Sequence, residues 1–358
     1  MARPPKEQRL DRDRHPAASP VRLPAEWEPH AATWIAWPHR RRTWLGPFEP
    51  IPRVYERLVR LVAGHEPVRV IGGDELLAEP RRLLGDLEGV AFVEIPTDDS
   101  WLRDTGPVFL LAAGESAGDD APRSAVAWGW NAWGGKYPPW ENDARVACRI
   151  AEHLGLEVSQ PSLVLEGGGI ETDGEGTLLA NPRCLVDPRR NPGVDRAGIE
   201  AELRARLGIE QVLWASGELA GDDTDGHIDQ LARFVAPGRV VVARQPDRDD
   251  PNHGPLEETI SSLRRLVDAA GRRLEVVPIE IPSRFSYEGV QLPASHLNYY
   301  VANGLVVVPV FAAATDEPAL RRLEECFPGR RVEPFDCREL IRGRGGVHCI
   351  TRDEPRER

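Results

Sequence analysis

Cysteine is scarce and scattered in this chain of 358 residues. The five cysteines form no C-x-x-C pair, and their number is odd, so we expect neither a disulfide framework nor a zinc ribbon. They stand at Cys148, Cys184, Cys326, Cys337 and Cys349. In a reducing compartment each of them is either a small buried hydrophobe or a reactive thiol, and only its surroundings can decide which.

The chain also lacks an excess of positive charge and any long apolar run. Lys and Arg total 45 against 57 Asp and Glu, a net charge of −12, which argues against nucleic acid as a partner. No stretch approaches the roughly 18 consecutive apolar residues of a membrane span, and the first residues lack the apolar core of a secretory signal. We therefore expect a cytoplasmic protein with no membrane partner.

Motifs for phosphate and metal binding are missing as well. No G-x-G-x-x-G follows a predicted strand, and Gly135-Lys136 lacks the other residues of a P-loop. There is no H-E-x-x-H, and the acidic loop around Gly226 does not fit an EF-hand, because Ala232 would stand at the last ligand position. We expect no metal and no cofactor.

What the chain does contain is a repeated α/β pattern. Residues 1–20 have almost nothing to bury and predict a disordered arm, whereas 21–358 predict a single domain. Amphipathic periodicity predicts six helices, at 53–63, 76–87, 142–154, 199–207, 256–270 and 319–326. β-rich runs predict strands after them, at 68–71, 90–95, 156–158, 211–214, 274–281 and 331–332.

Hairpin sequences lie between these units and resemble one another. Residues 234–243 and 300–309 superpose at an offset of 66 residues, and 170–180 is a weaker third copy. A block of hairpin, helix and strand of about 60 to 70 residues fits about five times, which favours repetition of blades around an axis. A doubly wound sheet is the alternative.

Four polar segments recur at one phase of this repeat. They contain Asp104, Glu166, His227 with Asp229, and Cys349. Glu166 follows Asp104 by 62 residues, His227 follows Glu166 by 61, and Cys349 follows His227 by 122, which is twice 61. Loops at a common phase meet at one end of the axis, so we expect these side chains to converge.

A thiol among carboxylates makes chemical sense if the substrate is a cation. The acids alone would raise the pKa of the thiol above its usual value of about 8.5. A bound guanidinium reverses this effect, since its planar fork hydrogen-bonds to carboxylates and places its electron-poor carbon near the sulfur. His227 and Asp229, two apart on an expected extended segment, would point to the same side.

Six segments of the chain closely resemble the agmatine deiminase family, which includes the bacterial type of peptidylarginine deiminase. They are Leu23–His30, Trp101–Pro107, Trp130–Gly135, Leu165–Gly169, Thr224–Asp229 and Val347–Thr351. The resemblance runs from about residue 21 to 355. It implies the pentein fold, a five-bladed α/β propeller.

The resemblance also implies roles for residues at matching positions. Cys349 is the implied nucleophile and His227 the general acid/base, while Asp104 and Asp229 clamp the guanidinium. Glu166 is implied as a further clamp that keeps His227 oriented. The expected reaction is the hydrolysis of agmatine to N-carbamoylputrescine and ammonia through a covalent S-alkylthiouronium on the cysteine.

Four more residues bear on the substrate. The resemblance implies that Trp101 packs against the methylene chain and that Asp223, in place of the usual Glu, meets the far ammonium. Arg344 and Gly346 depart from the family's Gly-Gly-Gly-Asn lead-in to the cysteine, and an Arg344 facing the pocket would favour a substrate with a carboxylate. Free arginine or peptidyl-arginine, an amidinotransferase and a non-catalytic guanidine-binding propeller remain alternatives. A small cationic guanidino compound is the expected partner, and a homodimer is a hypothesis for the assembly.

Overall fold

The computed structural model describes residues 21–113 and 123–357. The predicted N-terminal arm, 1–20, lies outside the described residues. The strands, in chain order, are β1 (Val21–Arg22), β2 (His30–Ala36), β3 (Val68–Gly72), β4 (Val90–Glu94), β5 (Val108–Ala112), β6 (Ser124–Val126), β7 (Glu157–Ser159), β8 (Ile170–Thr172), β9 (Thr177–Ala180), β10 (Gln211–Trp214), β11 (Ala232–Ala236), β12 (Arg239–Arg244), β13 (Glu275–Glu280), β14 (Ser286–Tyr287), β15 (Val290–Gln291), β16 (Tyr300–Ala302), β17 (Leu305–Val310), β18 (Arg331–Asp336) and β19 (Thr351–Pro355). The helices are α1 (Ile51–Ala63), α2 (Asp74–Leu84), α3 (Leu102–Thr105), α4 (Ala132–Gly135), α5 (Asp143–Leu154), α6 (Pro182–Leu185), α7 (Arg196–Leu207), α8 (His253–Leu263) and α9 (Asp316–Cys326).

Five sheets of the fold share one plan, and we call each of them a blade. In every blade an antiparallel pair of strands is followed by a parallel strand. The first to fifth blades contain β19-β2-β3-β4, β1-β5-β6-β7, β8-β9-β10, β11-β12-β13 and β16-β17-β18. The parallel strand is reached through a helix each time, because a parallel connection must cross the sheet.

The first long strand, β2, and the last strand, β19, meet in the first blade. β19 pairs antiparallel with β2, with Thr351 opposite Ile35, so the last strand completes the blade that the first long strand begins. The predicted five-bladed α/β architecture is confirmed, and the alternative of a single doubly wound sheet is wrong. Small sheets of three or four strands satisfy the hairpin and helix patterns together, which one parallel sheet cannot do.

The six predicted helices are present, and most of their ends agree within a few residues. The exception is the helix predicted at 256–270, since α8 already ends at Leu263. Beyond it, Asp268 accepts a hydrogen bond from the backbone N–H of Arg272 at 2.8 Å. Gly271 adopts a φ of +78° in this turn, a conformation that favours glycine. This local turn outweighs the helical periodicity of the segment.

The helices hold the blades by burying one apolar face. In α1, Leu58, Val59 and Val62 are fully buried against the first blade. Each such side chain contributes about 1.5–3 kcal/mol of transfer free energy. None of the helices in residues 21–113 and 123–357 is both long and apolar enough to cross a membrane.

Candidate active site

The four polar segments occupy the same place in their blades, just before the first strand of the antiparallel pair. Asp104 lies in α3 before β5, and Glu166 lies before β8. His227 and Asp229 precede β11, and Cys349 precedes β19. The common phase in the sequence therefore corresponds to a common position in the fold, and the segments meet in space.

Gly168 lies at the centre of this meeting point. A methyl group at its Cα would lie 2.6 Å from Nδ1 of His227, 3.0 Å from Oδ1 of Asp104 and 3.1 Å from Oδ2 of Asp229. Its backbone N–H donates to Oδ1 of Asp104 at 2.9 Å. A glycine is required here because only the absence of a side chain lets the three groups approach one another.

Cys349 lies on the 3₁₀ turn His348–Ile350, near the carboxylates of Asp229 and Asp104. Its side chain is buried, with Sγ 3.7 Å from Oδ2 of Asp229. Burial raises the pKa of the thiol well above its usual range, and the negative charges of Asp229 and Asp104 raise it further. These surroundings favour the protonated thiol until a positive charge enters.

Asp229 presents one open carboxylate oxygen. Burial would raise its pKa, but the hydrogen bond and charge of His348 lower it, and Nδ1 of that ring lies 2.8 Å from Oδ2. The other oxygen, Oδ1, is buried and has no hydrogen-bond partner within the described part of the chain. A buried carboxylate oxygen without a donor is costly, and a bound N–H group would satisfy it.

The prediction that His227 and Asp229 lie on an extended segment is wrong. Residues Ile228–Gln230 form a 3₁₀ turn, and His227 immediately precedes it. The backbone N–H of His227 donates to the side chain of Thr224 at 3.1 Å, and that of Thr224 donates to Asp222 at 2.9 Å. These side-chain caps fold the acidic loop back, yet both functional side chains still face Gly168.

His227 is surrounded by acids. Oε2 of Glu166 lies 3.1 Å from its Nε2, and Oδ1 of Asp104 lies 3.7 Å from its Nδ1. Burial alone would lower the pKa of His227, but the charges of Asp104, Glu166 and Asp229 outweigh it and raise the pKa to about 9. The imidazole is therefore charged at neutral pH and can donate a proton.

Glu166 forms a buried ion pair with a residue that the sequence patterns did not indicate. Nε of the buried Arg190 donates to both carboxylate oxygens of Glu166, at 2.7 and 3.0 Å. With His227 on its other side, Glu166 is placed to orient the imidazole, and both of its oxygens already have a hydrogen-bond partner. The only signal for Arg190 would have been the need of a buried carboxylate for a cation.

A cavity of about 150 Å³ leads to Cys349 and Asp104. Trp101 and Trp133 form part of its wall, and Nε1 of Trp133 donates to Oδ2 of Asp104 at 3.0 Å. The sequence patterns gave Trp133 no role beyond its motif. Its hydrogen bond leaves Asp104 facing the cavity with a fixed carboxylate plane.

The more exposed end of the cavity is lined by Tyr137, Asp223 and Arg344. The hydroxyl of Tyr137 donates to the carboxylate of Asp223, and Nη1 of Arg344 lies 3.8 Å from the same carboxylate. Asp223 and Arg344 thus both face the cavity mouth, where the far end of a substrate would lie.

The glycine-rich segment before Cys349 is shaped by aromatic rings. A methyl group on Gly345 would lie 2.3 Å from the Trp101 ring, and one on Gly343 2.7 Å from the Trp44 ring. Arg344, between them, has a φ of +69°, a conformation that costs a side-chain-bearing residue about 1–2 kcal/mol. Gly346 lies against the side chain of Asn298 and does not line the cavity, so its predicted contact with substrate is not supported.

No group of three or more His, Cys, Asp and Glu side chains in the described ranges is arranged to hold a metal ion. The site is organised instead around a thiol, two carboxylates and a charged imidazole. That arrangement can bind a planar cation and attack it with sulfur.

Comparison with known proteins shows the same architecture and family. The profile of the Porphyromonas-type peptidyl-arginine deiminase family matches residues 22–355. The agmatine deiminase of Ectopseudomonas mendocina is 37% identical, with 95% of this chain and 97% of that protein covered. That of Stutzerimonas stutzeri is 36% identical, with 93% and 95% covered. A solved structure of the agmatine deiminase of Enterococcus faecalis superposes with a TM-score of 0.88 at 29% identity, covering 95% of this chain and 97% of that one. The chain belongs to the Porphyromonas-type peptidyl-arginine deiminase family.

Proposed function

We propose that this protein is an agmatine deiminase, which hydrolyses agmatine to N-carbamoylputrescine and ammonia. The observation that carries the proposal is the pairing of a buried thiol with two carboxylates, one of which has a buried oxygen with no hydrogen-bond partner among residues 21–113 and 123–357. A guanidinium supplies both the N–H donors that this oxygen lacks and the electrophilic carbon that a thiolate attacks. The agmatine deiminases named above support the choice of substrate.

Binding and activation of the thiol occur together in this mechanism. The guanidinium lies between Asp104 and Asp229, and its charge offsets theirs, so the pKa of Cys349 falls and the thiol releases its proton to solvent. The thiolate then attacks the guanidinium carbon. Since the substrate is its own electrophile, these steps need neither a metal nor a cofactor.

His227 moves the protons in both halves of the reaction. It first protonates the departing amino group, which leaves as ammonia, and an S-alkylthiouronium remains on Cys349. The neutral imidazole then takes a proton from a water molecule, whose oxygen attacks the same carbon. Collapse breaks the carbon–sulfur bond and releases the urea, whose hydroxyl proton passes to the departing thiolate and restores the resting thiol. A positioned acid/base of this kind contributes about 10²- to 10⁴-fold in rate.

The cytoplasm is the proposed compartment. All five cysteines are free, as a reducing environment would keep them. The reaction also depends on the Cys349 thiol, which an oxidising compartment would expose to disulfide formation.

A substrate with a carboxylate is the second candidate, and Arg344 favours it. Its guanidinium near Asp223 offsets the charge that would attract the ammonium of agmatine. In free arginine or a C-terminal peptidyl-arginine, a carboxylate would instead pair with Arg344.

A substrate panel tests the proposal. Agmatine, arginine, a peptide with C-terminal arginine and simple guanidino compounds are offered separately, and ammonia and urea products are measured. We expect agmatine to have the highest kcat/KM. A tenfold preference for arginine or the peptide would contradict agmatine as the substrate but not the chemistry. A new guanidine formed when a second amine is added would indicate an amidinotransferase, and the absence of any product would indicate a binding protein.

A further inference from the structure

Residues 131–136, which we call the wall segment, carry Trp133 into the wall of the cavity. The backbone at 132–135 is left-handed throughout, with φ values of +53°, +56°, +84° and +83°. This conformation is unfavourable for Ala132 and Trp133, which have side chains. Strain of this kind persists only where surrounding contacts hold the backbone. Since Trp133 donates to Asp104, those contacts also fix a carboxylate of the site.

Both ends of the wall segment are tied to one carboxylate outside it, that of Asp225. At the far end, Nζ of Lys136 lies 2.6 Å from Oδ2 of Asp225. At the near end, Nδ2 of Asn131 donates to the backbone oxygen of Arg189 at 3.0 Å, and Nη2 of Arg189 lies 3.1 Å from the same Oδ2. A methyl group on Gly134 would lie 3.0 Å from Cβ of Arg189, so the segment also packs closely on this residue.

Asp225 is in turn anchored to the buried part of the site. Nη1 of Arg190 lies 2.8 Å from Oδ2 of Asp225, and Nε of Arg190 donates to Glu166 at 2.7 Å. Burial would raise the pKa of Asp225, but hydrogen bonds from Lys136 and Arg190 lower it to about 2. The carboxylate is therefore charged near neutral pH and binds cations from both ends of the wall segment and from the interior.

We propose that Asp225 is a positioning residue, which holds the wall segment in its strained shape and thereby fixes Trp133 and the carboxylate of Asp104. The inference rests on the proposed function, in which Asp104 binds the guanidinium. Lys136 and Arg189 reach the carboxylate from opposite ends of the segment, and charged hydrogen bonds of this kind are strong. Without their shared partner, the strained backbone would be free to relax.

Three variants test the proposal. Asp225→Asn removes the charge and keeps the backbone, because asparagine adopts the φ of +66° at this position as readily as aspartate. Lys136→Met cuts only the tie at the far end. Asp336→Asn is the matched control, since Asp336 ends β18, pairs with Arg338 on the surface and does not line the cavity.

Hydrogen–deuterium exchange reports the state of the wall segment without substrate. The backbone N–H groups of residues 134–136 are hydrogen-bonded within the segment. We expect their exchange to become about five- to fiftyfold faster in Asp225→Asn, because the loss of hydrogen bonds to a charged group favours local opening. Exchange in α1 should stay unchanged, and Asp336→Asn should match the unaltered protein.

Steady-state kinetics with agmatine separate positioning from folding. When the wall segment opens, only the closed fraction binds substrate, so KM in Asp225→Asn should rise at least about fivefold while kcat changes by less than about threefold. Lys136→Met should also raise KM, by at least about threefold. Electrostatics alone predicts the opposite for Lys136→Met, because removal of a positive charge would favour a cationic substrate.

Unchanged exchange of the wall segment in Asp225→Asn would overturn the proposal, and so would equally faster exchange in α1. A lower KM in Lys136→Met would also overturn it, since the effect would then come from charge alone. A fall in kcat at constant KM in Asp225→Asn would assign this residue to the stability of the fold instead. If the unaltered protein does not turn over agmatine, the proposed function fails, whereas the exchange rates still test the role of Asp225.

Discussion

At the scale of single residues, the chemistry of Cys349 depends on charge that the substrate must bring. Burial, Asp229 and Asp104 all raise the pKa of its thiol, and a guanidinium between the acids reverses the effect of the charges. Such a site protects the nucleophile from reacting until a cation is bound. As a consequence, a change in any neighbouring charge should also change the reaction rate.

Replacing the sulfur separates binding from chemistry. In Cys349→Ser we expect turnover to fall by at least about 10⁴-fold, because a serine hydroxyl among carboxylates does not ionise near neutral pH. Binding of agmatine should persist, since Asp104 and Asp229 remain, and calorimetry measures it. Cys148→Ser, a change on α5 away from the cavity, should retain full activity. Full activity of Cys349→Ser would eliminate the covalent mechanism.

The charge on His227 sets the alkaline limit of activity. Its pKa is about 9 before substrate binds, and the bound guanidinium lowers it by offsetting the charges of Asp104 and Asp229. Because the protonated form is the acid for ammonia release, kcat should fall as pH rises toward 9. Glu166→Gln removes a negative charge that raises the pKa of His227, so the alkaline fall in kcat should move to lower pH. The pH profile of kcat from 6 to 10.5 measures the shift. Glu257→Gln, at a partly exposed position of α8, should leave the alkaline fall in kcat in place. An unchanged profile in Glu166→Gln would refute the assignment of His227 as the acid.

At the scale of elements, the site depends on how tightly the segments before each hairpin pack. The 3₁₀ turn Gly167–Gly169 carries the chain from Glu166 into β8 and crosses α3, the helix of Asp104. A methyl group on Gly167 would lie 2.2 Å from the backbone oxygen of Arg103. Neither backbone segment can shift to relieve this contact without moving a carboxylate of the site.

Gly167→Ala should therefore reduce both stability and activity. We expect a loss of about 1–3 kcal/mol in the free energy of unfolding, as for other overpacked positions, measured by urea denaturation. We also expect kcat to fall at least tenfold. Gly254→Ala, in the first turn of α8, meets no atom within 4 Å and should be neutral or stabilising by up to about 1 kcal/mol. Equal stability and activity for the two variants would show that the approach at Gly167 is not tight.

The elements were largely predictable, whereas the turns between them were not. Amphipathic periodicity predicted α1 because this helix buries one face. Apolar runs that repeat those of 234–243 predicted the hairpin of β16 and β17, whose strands are buried almost throughout. The 3₁₀ turn after His227 and the end of α8 at Leu263 depend on side-chain caps such as Thr224 and Asp268, which leave no periodic pattern. Arg190 and Trp133 contact Glu166 and Asp104 from distant segments of the chain, so local sequence could not assign them.

At the scale of the whole molecule, a buried ion pair joins the first and fifth blades. Oε1 of Glu66 lies 3.1 Å from Nδ1 of His30 in β2, and Oε2 accepts from the backbone N–H of Asn303, between β16 and β17. Burial would lower the pKa of His30, but the hydrogen bond and charge of Glu66 raise it to about 9.

The homodimer expected from the sequence remains a prediction.

This ion pair should make stability depend on pH. A histidine whose pKa rises from 6.5 to about 9 on folding stabilises the protein fully below pH 6.5, and this stabilisation is lost as pH rises through 9. In Glu66→Gln the free energy of unfolding should fall by about 3 kcal/mol at pH 7, and less at pH 9.5. Urea denaturation at both pH values measures the change. Glu56→Gln, which breaks surface pairs of α1, should cost less than about 1 kcal/mol, and an equal loss at both pH values in Glu66→Gln would contradict the role of His30.

The most direct test of the whole account is to stop the reaction with acid during turnover of agmatine and to weigh the protein. The mechanism predicts an increase equal to the mass of agmatine minus that of ammonia, located on the peptide that contains Cys349 and absent in Cys349→Ser. Steady turnover with no such adduct at any quench time, or an adduct on another residue, would contradict attack by this thiol.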